Sequence, residues 1–167
     1  MRTIPQPPAH PAFTVRRRGP MTTLAGGRRE GIEMTEGRVW LITGASRGMG
    51  AALTSAALAS GQKVVATARR PSEITGTFAA SDRLLAAKLD VTSVDDADAA
   101  VAAAVEKFGR IDVLVNNAGA SFKGYFEEMS QAQVEQQLAV NLLGPMNVTR
   151  AVLPVMRRQR AGLVMSI

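Results

Sequence analysis

The chain has 167 residues, 46% hydrophobic and only 4% aromatic, with no Cys and a single His, His10. That suits one modest domain with a core of small aliphatic side chains and is too short to expect two. It excludes disulfides, thiolate nucleophiles, zinc–thiolate sites, histidine triads and His-based metal sites. The formal net charge of +6 is unevenly spread: residues 1–37 carry six Arg, three Glu and five of the eight prolines, without periodicity or an apolar run. This segment is expected to be a disordered basic leader. Arg16, Arg17 and Arg18 would suit a nucleic-acid or anionic-membrane contact. The blander reading is preferred, a solvated leader or sequence upstream of a true start at Met34, so no nucleic-acid partner is expected. No apolar segment follows the arginines, which argues against a secretory signal. No uncharged run approaches the ~18–20 residues of a membrane span, so a cytoplasmic protein without a membrane partner is expected.

From Arg38 the pattern becomes regular. Val39-Trp40-Leu41-Ile42 reads as a buried strand, followed by a Gly-rich turn and an Ala/Leu helix over residues 49–60, closed by Gly61. Residues 64–66 and 84–89 read as the second and third strands. Ser93 caps a helix with Asp95 and Asp96 in its first turn, where carboxylates suit the helix dipole. Ala97, Val101, Ala104, Val105 and Phe108 follow at helical spacing up to Gly109. Val113-Leu114-Val115 is the fourth strand. A long helical region over 130–158 is expected to bend at Gly144-Pro145 and at Pro154, and Leu163-Val164-Met165 opens a fifth strand. Apolar strands alternating with amphipathic helices predict βαβ units: an α/β fold with a doubly wound parallel sheet, a Rossmann architecture of about five strands.

The turn after the first strand reads Thr43-Gly44-Ala45-Ser46-Arg47-Gly48-Met49-Gly50. A helix N-terminus offers unpaired N–H groups and partial positive charge, which suit a pyrophosphate. Glycines let the chain turn tightly and let the ligand approach the backbone. Three glycines in a strand–turn–helix context therefore point to dinucleotide binding rather than to a merely structural turn.

Here the sequence resembles the short-chain dehydrogenase/reductase family, whose glycine motif is Thr-Gly-x-x-x-Gly-x-Gly. Thr43, Gly44, Gly48 and Gly50 match it, and three further matches follow in order: Leu89-Asp90-Val91, Asn116-Asn117-Ala118-Gly119 and Asn141-Leu142-Leu143-Gly144. The resemblance covers residues 38–167 and leaves the leader outside. It implies that Gly44, Ser46, Arg47 and Met49 line the pyrophosphate and adenosine ribose, within a motif completed by Thr43, Gly48 and Gly50. It implies that Asp90, by its side chain, and Val91, by its backbone, meet the adenine. Asn117, Ala118 and Gly119 would pass under the cofactor. Asp90 read without the resemblance could simply cap a turn, and for Asn116 a structural role is preferred.

The end of the second strand bears on the choice of dinucleotide. NAD-selective sites place an acid there for the ribose hydroxyls, and this chain has Ala68 in that slot, followed by Arg69 and Arg70. Arg69 and Arg47 suit a 2′-phosphate, which Arg holds bidentately. Arg70 reads better as a solvated loop residue. The expected cofactor is NADP(H) ahead of NAD(H).

The family reaction is hydride transfer between the nicotinamide and a small-molecule carbonyl or alcohol. It uses a Tyr whose phenol, ordinarily of pKa near ~10, is tuned by a Lys four residues on, together with a Ser and an Asn. Asn141 matches the Asn. The only Tyr, Tyr125, precedes the long helix and is followed four residues later by Met129. Gly162-Leu163-Val164-Met165-Ser166-Ile167 matches the start of the family's fifth strand with Ser166 in an Asn slot, so the catalytic Ser, Tyr and Lys find no match. The chain is thus expected to be a catalytically incomplete fragment. Val152, Val155, Met156 and the fifth strand are expected to expose apolar surface, making the product poorly soluble or partly unfolded alone. Full-length relatives are expected to be homo-oligomers. Alternatives are a non-catalytic NADP-binding module or sensor, and a basic nucleic-acid contact carried on a degenerate domain.

Overall fold

The structure, a computed structural model, describes residues 37–167. The expectations for residues 1–36 therefore lie outside the described residues. Five strands form one parallel sheet: β1 (Val39–Ile42), β2 (Lys63–Ala68), β3 (Leu84–Lys88), β4 (Val113–Asn116) and β5 (Leu163–Ser166), in the order β3-β2-β1-β4-β5. The chain winds outward from β1 to β3, then crosses back to lay β4 on the other side of β1, with Leu41 paired to Val65 on one side and Leu114 on the other. This reversal creates a crevice at the carboxyl ends of β1 and β4, where doubly wound sheets bind ligands.

Five helices complete the architecture: α1 (Gly48–Ala59), α2 (Pro71–Thr75), α3 (Val94–Phe108), α4 (Gln131–Leu138) and α5 (Gly144–Gln159). The start and stop signals of α3 act as read: the Ser93 hydroxyl accepts from the Asp96 N–H at 3.1 Å, and Gly109 closes the helix at φ +76°. The five-residue α2 was not foreseen; it starts on Pro71, whose fixed φ and missing N–H suit a first helical position.

The strands carry apolar side chains on both faces. On one face Val39, Leu41, Val65 and Leu114 pack against Ala97, Val101 and Ala104 of α3 and Val148 and Val152 of α5. On the other, Ile42, Val64, Val113 and Val115 pack with Ala57 of α1 and Ile74 of α2. The expectation that Val152, Val155 and Met156 face water is therefore wrong: all three are buried. Spaced with Val148 at helical intervals, they form the sheet-facing stripe of α5 and fill the layer beside α3. The exposed apolar side chains include a different set, Leu138, Leu142, Leu143 and Met146, together with Leu163 and Val164 of β5 and the following Ile167.

Residues 131–159 form a continuous helical run, in which α4 and α5 are joined by a π-helical turn over Ala139–Leu143. Pro145 is the second residue of α5, directly after the π turn, and the helix continues through Pro154. Where a bend is expected at Gly144-Pro145, the helix widens into a π turn immediately before it. By length and composition this run meets the criterion for a membrane span, as core helices also do; here α5 buries its Val stripe on the sheet. Gly144 is needed for that packing, because a Cβ there would stand 2.6 Å from Val91 Cγ2.

Candidate functional site

The glycine turn is built for close approach. Gly44 has φ +66°, and a Cβ there would stand 2.9 Å from Ala118 Cα. A Cβ on Gly50 would overlap the Gly44 carbonyl oxygen, so only glycine lets α1 start this close to the turn. Arg47 precedes α1 in an extended conformation and makes no side-chain cap, and Gly48 and Met49 of the first turn line the cleft. The turn is also fixed to β2, since the Ala45 N–H donates to the Thr67 carbonyl at 2.8 Å.

Thr43 and Asn117 fasten the ends of β1 and β4 to each other. The Thr43 hydroxyl oxygen accepts from the N–H groups of Asn117 and Ala118, both at 2.9 Å. In return the Asn117 side-chain amide donates to the carbonyls of Thr43 at 2.8 Å and Gly44 at 3.2 Å. Thr43 is 1% exposed, so its hydroxyl serves the backbone. Gly44, Ser46, Arg47, Gly48 and Met49 line the cleft, while Thr43 and Gly50 stand behind that lining and shape it. The cleft has a volume of about 1490 Å³.

From the other strand ends the cleft receives Arg69, Asp90 and Val91 on one side and Asn117, Ala118 and Gly119 beneath. Asp90 is held in place by its neighbours: its N–H donates to Asp96 Oδ2 at 3.0 Å, and its Oδ1 accepts from the Thr92 N–H and hydroxyl at 3.0 and 2.7 Å. The bonds from Thr92 hold its carboxyl below the usual carboxylate range, against a small opposing effect of burial. Val91 is buried, and its carbonyl accepts from the Asn147 side chain at 3.2 Å.

Asn141 lies in the π turn with both polar groups engaged: Oδ1 accepts from the Ala120 N–H at 2.9 Å, and Nδ2 donates to the Ala120 carbonyl at 2.7 Å. Beside it, Gln137 Oε1 accepts from the Phe122 N–H at 3.0 Å. These residues hold the segment that leaves β4. Asn116 is buried, with its amide donating to Thr149 Oγ1 at 3.1 Å. A second cleft of about 750 Å³ lies between α5 and β5, lined by Asn116, Asn141, Thr149, Arg150 and Ser166 among others. Tyr125 is 73% exposed before α4 and lines neither cleft.

At the mouth, Arg47, Arg69 and Arg70 line one wall with Ser46 and Glu73, and Ala68 contributes no carboxylate. Glu73, Gln137 and Asp96 were not singled out as site residues from the sequence. Asp96 was read only as a dipole partner, Glu73 had the weak signal of an acid three residues after an Arg, and Gln137 had none. The residues present fit a dinucleotide: glycines where a Cβ would intrude, an uncapped helix start and basic side chains at one end.

Comparison with known proteins agrees with this geometry. The family model for short chain dehydrogenases matches residues 38–167. Among curated relatives, Oxidoreductase BOA17 of Botryotinia fuckeliana is 39% identical over 132 residues, which is 78% of this chain and 48% of that protein. A short-chain dehydrogenase structure from Streptomyces avermitilis superposes with a TM-score of 0.71 at 39% identity, covering 80% of this chain and 49% of that one. A 3-ketoacyl-(acyl-carrier-protein) reductase from Brucella melitensis, complexed with NADH, gives a TM-score of 0.74 at 32% identity, covering 78% and 57%. The chain spans about half the length of the curated relatives it matches. On its motifs, its sheet order and these likenesses, it belongs to the short-chain dehydrogenase family.

Proposed function

We propose that residues 38–167 are the dinucleotide-binding part of a short-chain oxidoreductase that uses NADP(H) and acts on a small-molecule carbonyl or alcohol. The family membership supports the oxidoreductase reading. The observation that carries the cofactor choice is the basic wall at the carboxyl end of β2, where Ala68 stands in place of an acid and Arg47 and Arg69 line the same cleft. An acid at that place would take the ribose hydroxyls and repel a 2′-phosphate, whereas guanidinium groups hold one bidentately.

Within this reading Gly44, Gly48 and the start of α1 bind the pyrophosphate, Arg47 and Arg69 take the 2′-phosphate, and Asp90 with Val91 borders the adenine. The paired Thr43 and Asn117 keep the two strand ends at a fixed separation, and Asn141 holds the Ala120 backbone beside the cleft. When bound, the nicotinamide supplies hydride exchange with the substrate carbon.

The test is titration of the 167-residue chain with NADPH and NADH, followed by nicotinamide fluorescence. Arg69→Ala should lower NADPH affinity at least tenfold, since a charge-assisted hydrogen bond contributes about 1.5–3 kcal/mol, and leave NADH affinity within twofold. Equal wild-type affinity for the two cofactors, or an unchanged affinity in Arg69→Ala, refutes the NADP(H) assignment.

A further inference from the structure

The wall that distinguishes the two dinucleotides contains an acid of its own. Arg70 is the N-cap of α2 and Glu73 lies in the first turn of that helix. Arg70 Nε donates to Glu73 Oε1 at 2.7 Å, and Arg70 Nη2 forms an ion pair with the same oxygen. The Glu73 carboxylate lines the same cleft as Ser46 and Arg47 of the glycine turn. Among the described residues, Arg47 and Arg69 form no ion pair with a carboxylate. Of the three arginines lining this wall, only Arg70 is already matched to an anion.

We propose that Glu73 is a specificity-determining residue, an internal anion that occupies Arg70 and so weakens the preference of the cleft for a 2′-phosphorylated adenosine. This rests on the NADP(H) reading above and deepens it. A carboxylate and a phosphate seek the same donor, a guanidinium. A 2′-phosphate entering beside Arg47 and Arg69 meets the negative charge of Glu73 and finds Arg70 engaged. An adenosine without that phosphate meets neither obstacle. Removing the charge of Glu73 should therefore act on one class of ligand and spare the other. The side chains of Arg70 and Glu73 are 78% and 37% exposed, so the pair is open to exchange with solvent and ligand and adds little to the stability of the fold.

The experiment uses the full chain and two probes, adenosine 2′,5′-bisphosphate and 5′-AMP, with binding measured by calorimetry and the melting temperature of each variant recorded alongside. Glu73→Gln keeps the size and a hydrogen-bonding amide. It should tighten adenosine 2′,5′-bisphosphate about five- to twentyfold, leave 5′-AMP within twofold and leave the melt unchanged. In the Arg70→Gln/Glu73→Gln double variant most of the gain should vanish, because the released guanidinium is what holds the phosphate. A change below twofold in Glu73→Gln, an equal change for 5′-AMP, or a gain that survives in the double variant overturns the inference. Arg69→Ala read with the same probes separates the two levels. A normal loss there with a silent Glu73→Gln removes only the role of Glu73. A wild-type chain that binds both probes equally, with Arg69→Ala silent, removes the NADP(H) reading itself.

Discussion

Replacing Thr43 by Val tests whether the cleft is held by polar bonds or by packing. The two side chains have nearly the same shape, so the substitution removes the hydroxyl and little else. Its oxygen accepts from two N–H groups at 2.9 Å, those of Asn117 and Ala118, and its longer contact to the Val115 carbonyl at 3.4 Å adds little. A buried donor left without a partner costs about 1–3 kcal/mol. Asn117 and Ala118 are only half-buried, so solvent recovers part of that loss, and the expected cost is about 2–3 kcal/mol in all. For a domain of about 130 residues this lowers the melting temperature by roughly 10 °C. Thr43→Ser keeps the acceptor and loses one methyl group, at a cost of about 1 kcal/mol.

The assay is urea and thermal unfolding of both variants, followed by far-UV circular dichroism and by the fluorescence of Trp40, the only Trp in the chain and part of β1. The order of the two costs decides the matter. A Thr43→Val variant that melts within about 3 °C of wild type, or a Thr43→Ser variant that loses more than Thr43→Val, would show that the hydroxyl is not what joins β1 to β4.

Val152→Ala should cost about 2 kcal/mol in urea unfolding, since Val152 is completely buried between α5 and the layer formed by α3 and the sheet; a neutral result would return this stripe to the surface. Asp96 should make the fold acid-sensitive. The Asp90 N–H and the Lys88 ammonium hold its carboxyl below the ordinary value of 3.8, so its contribution is complete above that value and is lost as pH falls through the lower, folded-state value. Asp96→Asn should therefore flatten the fall of the urea midpoint below about pH 4, and parallel wild-type and variant curves would rule this linkage out.

The sheet was legible because each strand is an apolar run bounded by glycine or a helix signal, and because local pattern suffices to predict βαβ units. The orientation of α5 was not. It carries one apolar stripe of Val148, Val152, Val155 and Met156, and Met146 continues a second with Leu142 and Leu143 of the turn before it. Periodicity says that stripes exist, but only packing against α3 and β4 decides which one is covered. Short elements were also lost: α2 has five residues, fewer than two helical turns, and leaves no period to detect. The motif context singles out Gly44, Arg47 and Asn117, and all three line the cleft. Thr43 belongs to the same motif, and what the motif does not reveal is that its hydroxyl is engaged with the backbone after β4.

The loops at the carboxyl ends of the strands share one mode of attachment. A side chain from one segment bonds the backbone of another: Thr43 to 117 and 118, Asn117 to 43 and 44, Asp96 to 90, Gln137 to 122, Asn141 to 120 and Asn147 to 91. Such bonds are costly to leave half-made, so they fix the cleft relative to the sheet before any ligand arrives. All but the Asp96 bond join positions fifteen or more residues apart, which is why periodicity could not find them. The basic wall is different in kind. Arg70 and Glu73 meet through exposed side chains, and the arginines beside them hold no strand end to another. The shape of the cleft is therefore coupled to folding, while the proposed preference for a phosphorylated ribose would rest on side chains that are not. On that separation Thr43→Val should shift the melt and ligand affinity together, and Arg69→Ala and Glu73→Gln should shift affinity with the melt unmoved.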